Sequence, residues 1–167
     1  YIFTQVSASI GGDHACGILL QGGAIQCWGN NGRGQSEPQD GEFIHVSAGT
    51  RTSCGVEVKS GTTSIHCWGG RANALLDQVD YQRMEQRRLA MKSSMDLLDE
   101  SSSVEEETTS HHYEQILLGQ DHACAAKKEV KEDNNSSSSS LSLECWWMTG
   151  SDFDAHRVPV GLTMMGA

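Results

Sequence analysis

Six cysteines fall into three pairs, and each pair sits symmetrically about a short polar stretch; this spacing constrains the fold more than any other feature. In the first stretch, pairing about Gln21 and Gly22 sets Cys16 against Cys27, Ile18 against Ile25 and Leu20 against Gly23. Apolar residues then alternate along two facing segments, as a half-buried antiparallel ribbon requires. Gly22 supplies the positive φ that a two-residue turn needs. The second stretch sets Cys54 against Cys67, Val56 against Ile65 and Val58 against Thr63, with a loop over Lys59 to Thr62. The third sets Cys124 against Cys145, Ala126 against Leu143 and Lys128 against Leu141, with a long polar loop over Glu129 to Ser140. The cysteine register is constant while the loop length varies.

Opposed residues at a non-hydrogen-bonded antiparallel position lie about 4.5 Å apart at Cα, within the roughly 4.4 to 6.8 Å a disulfide tolerates. Six cysteines allow about 15 pairings, and the repeat selects Cys16–Cys27, Cys54–Cys67 and Cys124–Cys145. The alternative is three pairs of buried, reduced thiols in a cytosolic chain. Bridges would imply an oxidising compartment. The overlapping sequons at Asn134 and Asn135 lie in the expected third loop, where an attached sugar would be accommodated.

Each hairpin is preceded by an aromatic residue three before a β-branched one: Phe3 and Val6, Phe43 and Val46, Tyr113 and Ile116. Small residues or a glycine follow, so each segment reads as a short strand ending in a turn. Downstream, Cys-Trp-Gly occurs at Cys27 to Gly29 and Cys67 to Gly69, while Cys145-Trp146-Trp147 stands in the third copy. His14 and His122 occupy one repeat position, and Thr52 replaces them in copy two.

These motifs, in this order, resemble the repeats of the regulator of chromosome condensation family, in the branch whose units carry His-x-Cys and Cys-Trp-Gly. The pattern F-x-x-V-S-A, H-x-C-G, C-W-G-x-N-x-x-G-Q is fullest from Phe3 to Gln35, and the resemblance covers roughly residues 3 to 71 and 113 to 150. It implies a β-propeller with four-stranded blades. We therefore expect an all-β, partial β-propeller of about three repeat units carrying a helical or disordered acidic insertion. Copy two lacks the Asn-x-x-Gly-Gln tail. Repeat units bury their faces only against neighbours, so open ends are expected, as a fragment, a partial copy or a subunit that assembles with further propeller repeats.

The expected organisation is two repeats over 1–71, an insertion over 72–112 and a divergent third repeat over 113–167. Leu76, Val79, Met84, Met91, Met95 and Leu98 fall near one helical face, which predicts a helix from about Leu75 to Leu98 with Asn73 as its cap. An acidic, serine-rich linker follows from Asp99 to Ser110. From Asp77 to Glu107 there are nine acids against four bases, so half of the chain's formal net charge of −10 sits there. The helix reads as one packed on the propeller or as a Met-rich surface for a partner. Lys127 to Ser140, with its run of serines, predicts a flexible tip. The apolar stretch Val158 to Ala167 is expected to add a strand.

Few residues suggest chemistry. No cysteine or histidine pair has the close spacing that pre-arranges a tetrahedral metal site, so His14 and His122 read as blade-packing residues and His111-His112 as a loop pair. GNNGRG at Gly29 to Gly34 lacks the lysine and hydroxyl of a phosphate loop and reads as a turn. Trp28, Trp68 and Trp146 recur in phase and are expected in the core, with Gly29 and Gly69 beside the first two. No nucleophile elbow occurs, and no metal, cofactor or catalytic residue is expected. The acidic balance disfavours nucleic acid, and no apolar run approaches the roughly 20 residues of a membrane helix. The function expected is a non-enzymatic protein–protein interaction scaffold, extracellular or in the secretory pathway, recognising an unidentified protein through the loops Ala72 to His112 and Lys127 to Ser140. The resemblance also implies two alternatives: an intracellular, cytoplasmic nucleotide-exchange regulator of a small GTPase, and a secreted enzyme inhibitor.

Overall fold

A computed structural model describes residues 1–70, 110–133 and 136–147, together with Ala72, Asn73, Leu76, Met84 and Arg88. Among the described residues, nine strands form three antiparallel sheets in chain order, giving a partial β-propeller of three repeat units. The first unit comprises β1 (Phe3–Ala8), β2 (His14–Leu19) and β3 (Ile25–Gly29); the second, β4 (Phe43–Ala48), β5 (Thr52–Lys59) and β6 (Thr62–Gly69). The third comprises β7 (Ser110–Leu118), β8 (His122–Asp133) and β9 (Ser136–Trp147). Each described sheet has three strands, not the four implied by the family resemblance. The nearest approach to a fourth is an antiparallel bridge between Ile25 and Gln39 on the outer edge of β3.

The cysteine register is that of the sequence: Cys16 faces Cys27, Cys54 faces Cys67 and Cys124 faces Cys145, all three pairs disulfide-bonded, with Cα separations of 4.0, 4.1 and 4.0 Å. Leu19 N–H donates to the Ala24 carbonyl, so Cys16 and Cys27, three pairs further along, occupy a non-hydrogen-bonded site, where opposed side chains approach most closely.

The loop ends differ from the sequence expectation. In unit one the turn spans Leu20 to Gly23, because the positive φ values fall on Gly22 and Gly23; a two-residue turn at Gln21-Gly22 would have forced Gln21 there too. In unit two the ladder runs on to Lys59 and Thr62, and Ser60 and Gly61 form a two-residue turn with both φ values positive. In unit three the expected flexible tip is strand: pairing continues from Lys128–Leu141 to Asp133–Ser136. Serine and charged residues extend the ribbon because its ladder is made by backbone hydrogen bonds, which do not depend on apolar side chains. His111 and His112 likewise lie in β7, paired with Glu129 and Lys128, and the strand begins at Ser110, inside the expected linker. Asn73 has helical backbone itself and so does not cap; Leu76, Met84 and Arg88 are also helical. The rest of the expected helix, residues 99–109 of the linker, Asn134, Asn135 and the C-terminal stretch lie outside the described residues.

Every unit carries the same bulge, an extra residue at Thr4, Ile44 and Glu114 in the first strand. It re-aims the next side chain towards the following unit. Gln5 uses its amide there twice, Oε1 accepting from Val46 N–H at 3.0 Å and Nε2 donating to the Val46 carbonyl at 3.2 Å. Ser7 Oγ accepts from Ala48 N–H at 3.0 Å. One unit on, His45 Nδ1 accepts from Ile116 N–H at 3.3 Å and Ser47 Oγ from Leu118 N–H at 2.9 Å. The unpaired backbone of each following inner edge is thus satisfied by side chains of the unit before it.

The apolar core lies between units. Cys16, Ile18 and Ile25 of unit one pack with Phe43, Val46 and Trp68 of unit two. Cys54, Val56 and Cys67 of unit two pack with Ile116, Ala123, Ala125 and Trp146 of unit three. No sheet has a core of its own.

Gly29 and Gly69 share a φ of 103°, and a β-carbon on either would run into the carbonyl of Asp13 or Arg51. Those carbonyls accept from Asn30 N–H and Gly70 N–H, each at 2.8 Å, which closes each hairpin base. Gly29→Ala should cost about 3 kcal/mol, since it adds a backbone collision to an unfavourable φ, whereas Gly22→Ala, facing open space, should cost about 1 kcal/mol. Urea denaturation of the oxidised protein checks the ranking, and equal costs would refute it.

Burial holds the His45 imidazole below its ordinary pKa, and the bond from Ile116 requires an unprotonated Nδ1. Folding therefore favours the neutral ring, and the unfolded chain binds more protons as the solution is acidified. The contribution is complete above about pH 6.5 and is lost as pH falls through the lower folded value. His45→Gln, which places the residue of the Gln5 position there, should flatten the decline in melting temperature between pH 7 and pH 5. Identical slopes for the two proteins would overturn this.

Candidate interaction surfaces

The junction between units one and two holds the most connected polar group in the described structure. His14 opens β2 and Ser53 is the second residue of β5, and the strand geometry brings His14 Nε2 to 2.9 Å from Ser53 Oγ. Ser53 Oγ donates to the Gln35 carbonyl at 2.8 Å, and Trp68 Nε1 donates to the same oxygen at 3.1 Å. The loop carrying Gln35 is held by its own side chains: Asn30 Oδ1 accepts from Gly32 N–H, and Asn31 Oδ1 from Ser36 N–H, each at 2.9 Å. Gln35 Oε1 accepts from Arg33 N–H at 2.8 Å. This is the Gly29-to-Gly34 turn, and its end caps the tryptophan of the next unit.

The other ring nitrogen of His14, Nδ1, lies 3.3 Å from the Gly12 carbonyl, so the ring is held from both sides. His14, Ser53 and Gln35 are also buried. The group therefore braces two units. Among the described residues no three His, Cys, Asp or Glu side chains are grouped to hold a metal ion.

The second junction uses different materials. Thr52 stands in the His14 position and Ala123 in the Ser53 position, both buried, so the hydrogen-bonded brace is replaced by apolar contact. The glutamine-ended tail is missing after Gly69; instead Ala72 and Leu76 join the cluster that contains Trp146. The start of the insertion thus contributes to the core beside the third tryptophan.

Two repeat residues depart from the expected burial. Trp28 is half exposed, its ring tilted against Phe3 with centroids 5.6 Å apart, whereas Trp68 and Trp146 are buried. His122 is exposed, its ring over Gly119, whereas His14 is buried. Both lie on faces that have no neighbouring unit among the described residues; burial of these positions requires the adjoining repeat, which the repeat pattern alone does not reveal.

The far end of unit three is the other distinctive surface. Lys127 is almost fully buried, yet its ammonium reaches Glu144 at 3.3 Å and Glu129 at 3.7 Å. Tyr113 Oη lies 3.5 Å from the second oxygen of Glu144. This charged cluster anchors the base of the extended β8–β9 ribbon, beyond which come Lys131, Glu132, Asp133 and Ser136 to Ser140. β9 is an edge strand of its sheet. An edge strand offers unpaired backbone groups to an added strand.

No curated protein matches the chain. Among solved structures, the chain is similar to the entire ectodomain of the Physcomitrella patens receptor kinase CR4, with 18% sequence identity and a TM-score of 0.45. The alignment covers 88% of this chain, which spans only 33% of that ectodomain. Residues 3–35, the span of unit one and its capping tail, match the family model of the Regulator of chromosome condensation (RCC1) repeat.

Proposed function

We propose that the protein is a non-enzymatic interaction scaffold of an oxidising compartment, recognising a protein partner through the variable ends of its hairpins. The observation that carries this reading is the contrast within each hairpin. A disulfide holds the same register in all three units, while the end beyond it varies from a two-residue turn at Ser60-Gly61 to a ladder reaching Asp133 and Ser136. Fixed bases with variable ends suit recognition, because a rigid frame presents the contacting segment with little ordering cost. The extended ribbon of unit three is the favoured contact, with β-strand addition at β9 its mode.

The three bridges support the compartment, since disulfides persist where thiols are oxidised. Loop closure over sequence separations of 11, 13 and 21 residues is worth about 3 kcal/mol per bridge, with the third slightly ahead. Exchange on a small GTPase and enzyme inhibition rest on the resemblance alone.

Two measurements test the reading. Alkylation without reduction, followed by peptide mass mapping of the protein from its native source, should return the three within-unit bridges; six alkylated thiols would remove the compartment assignment. Replacing residues 129–140 by the Lys59–Thr62 turn should abolish binding to a partner captured from the extracellular medium while leaving the melting temperature within a few degrees. Retained binding would exclude the ribbon as the contact.

A further inference from the structure

Each core in this chain joins the outgoing face of one unit to the incoming face of the next, so unit one has an incoming face and unit three an outgoing face with no described neighbour. Val6 and Trp28 on the incoming face are 54% and 46% exposed, while their repeat equivalents in unit two, Val46 and Trp68, are 1% and 7% exposed. On the outgoing face, Leu143 is 44% exposed, while Ile25 at the equivalent position of unit one is fully buried against unit two. Leu117, on β7 of the same unit, is also exposed.

The two faces match at the glutamine–valine contact of the strand edge. At the junction of units one and two, the Gln5 amide clasps the N–H and C=O of a valine, Val46. Unit three offers an exposed glutamine, Gln115, one residue beyond the same bulge, and unit one offers a valine, Val6, at the same strand position. Val6-Ser7-Ala8 repeats Val46-Ser47-Ala48 without change. We propose that the protein associates with a second copy of itself, head to tail, with unit three of one copy seated on unit one of the next. Gln115 clasps the Val6 backbone, and Leu143 and Leu117 cover Val6 and Trp28.

This junction is weaker than those within the chain. Leu117 stands where Ser7 and Ser47 supply a hydroxyl, so Ala8 N–H gains no such bond. His122 meets Ala15 in place of a serine, so the brace of His14 and Ser53 is absent too. Association should therefore depend on concentration. A formal charge of −10 on each copy also opposes it at low salt, and screening should strengthen it. The contact is heterologous, with different surfaces on the two copies, so it grows until a ring closes.

Sedimentation velocity on the oxidised protein at physiological ionic strength provides the test. The wild-type chain should shift to larger species as concentration rises. Val6→Arg and Gln115→Arg, both at exposed strand positions and checked for an unchanged melting temperature, should each remain monomeric alone. Mixed together they should form a 1:1 complex and nothing larger, because one retains an intact outgoing face and the other an intact incoming face. A wild-type chain that stays monomeric throughout would overturn the proposal, including the case in which another segment of the chain covers Val6. It would equally be overturned by variants that self-associate as the wild type does, or by a mixture that remains monomeric.

Discussion

The inner strand of each sheet has one side with no strand beside it, and the fold depends on how those backbone groups are satisfied. A buried N–H without a partner costs roughly as much as a hydrogen bond contributes. Here the solution is a side chain from the preceding unit. Gln5 and Ser7 reach Val46 and Ala48, and His45 and Ser47 reach Ile116 and Leu118. The bulge before Gln5 and His45 makes this possible by turning one side chain into the plane of the neighbouring edge. Because the apolar cores form across the same boundaries, hydrogen bonding and burial are satisfied by one contact. The stability of each unit is consequently inseparable from that of its neighbours, as in other repeat architectures.

The disulfides act at a different level. They fix each hairpin internally, where only one or two apolar pairs are available, and leave the junctions to packing. A sheet of three short strands buries too little to hold its own register. The bridge at the non-hydrogen-bonded pair supplies it, and the turn beyond is then free to change length. Ser60-Gly61 and the ladder to Asp133–Ser136 are both compatible with the same base.

The legibility of the residues divides along the same line. Hairpin register is legible because symmetric cysteine and apolar pairs carry it, and the first strand of each unit because an aromatic and a β-branched residue mark it. Hairpin ends are not. Five serines in a row look like a tip, yet exposed ladder positions need only backbone groups, which every residue but proline supplies. The exposure of Trp28 and His122 is equally hidden, because in-phase recurrence identifies a position in the repeat and says nothing about whether a neighbour is there to cover it. The role of the glutamine-ended tail carries no signal either: its Gln35 carbonyl bonds Ser53 and Trp68, which belong to the following unit.

The third unit shows what such a repeat can lose. It has alanine where unit two has Ser53, the preceding unit offers Thr52 in place of His14, and the connector before it lacks the capping tail. The brace of histidine, serine, glutamine carbonyl and indole fails as a set, since a buried donor left without its acceptor is worse than none. Ala72, Ala123, Ala125 and Trp146 instead form a continuous apolar cluster with Cys54 and Val56. The His45 and Ser47 contacts at the strand edge remain, because the backbone groups they satisfy are present whatever the side chains around them. Loss of the tail also frees the chain beyond Gly69 from that constraint, and the acidic insertion enters at that point. The polar brace is exchanged for packing at the second junction, whereas the edge contacts are kept there with a histidine in place of the glutamine.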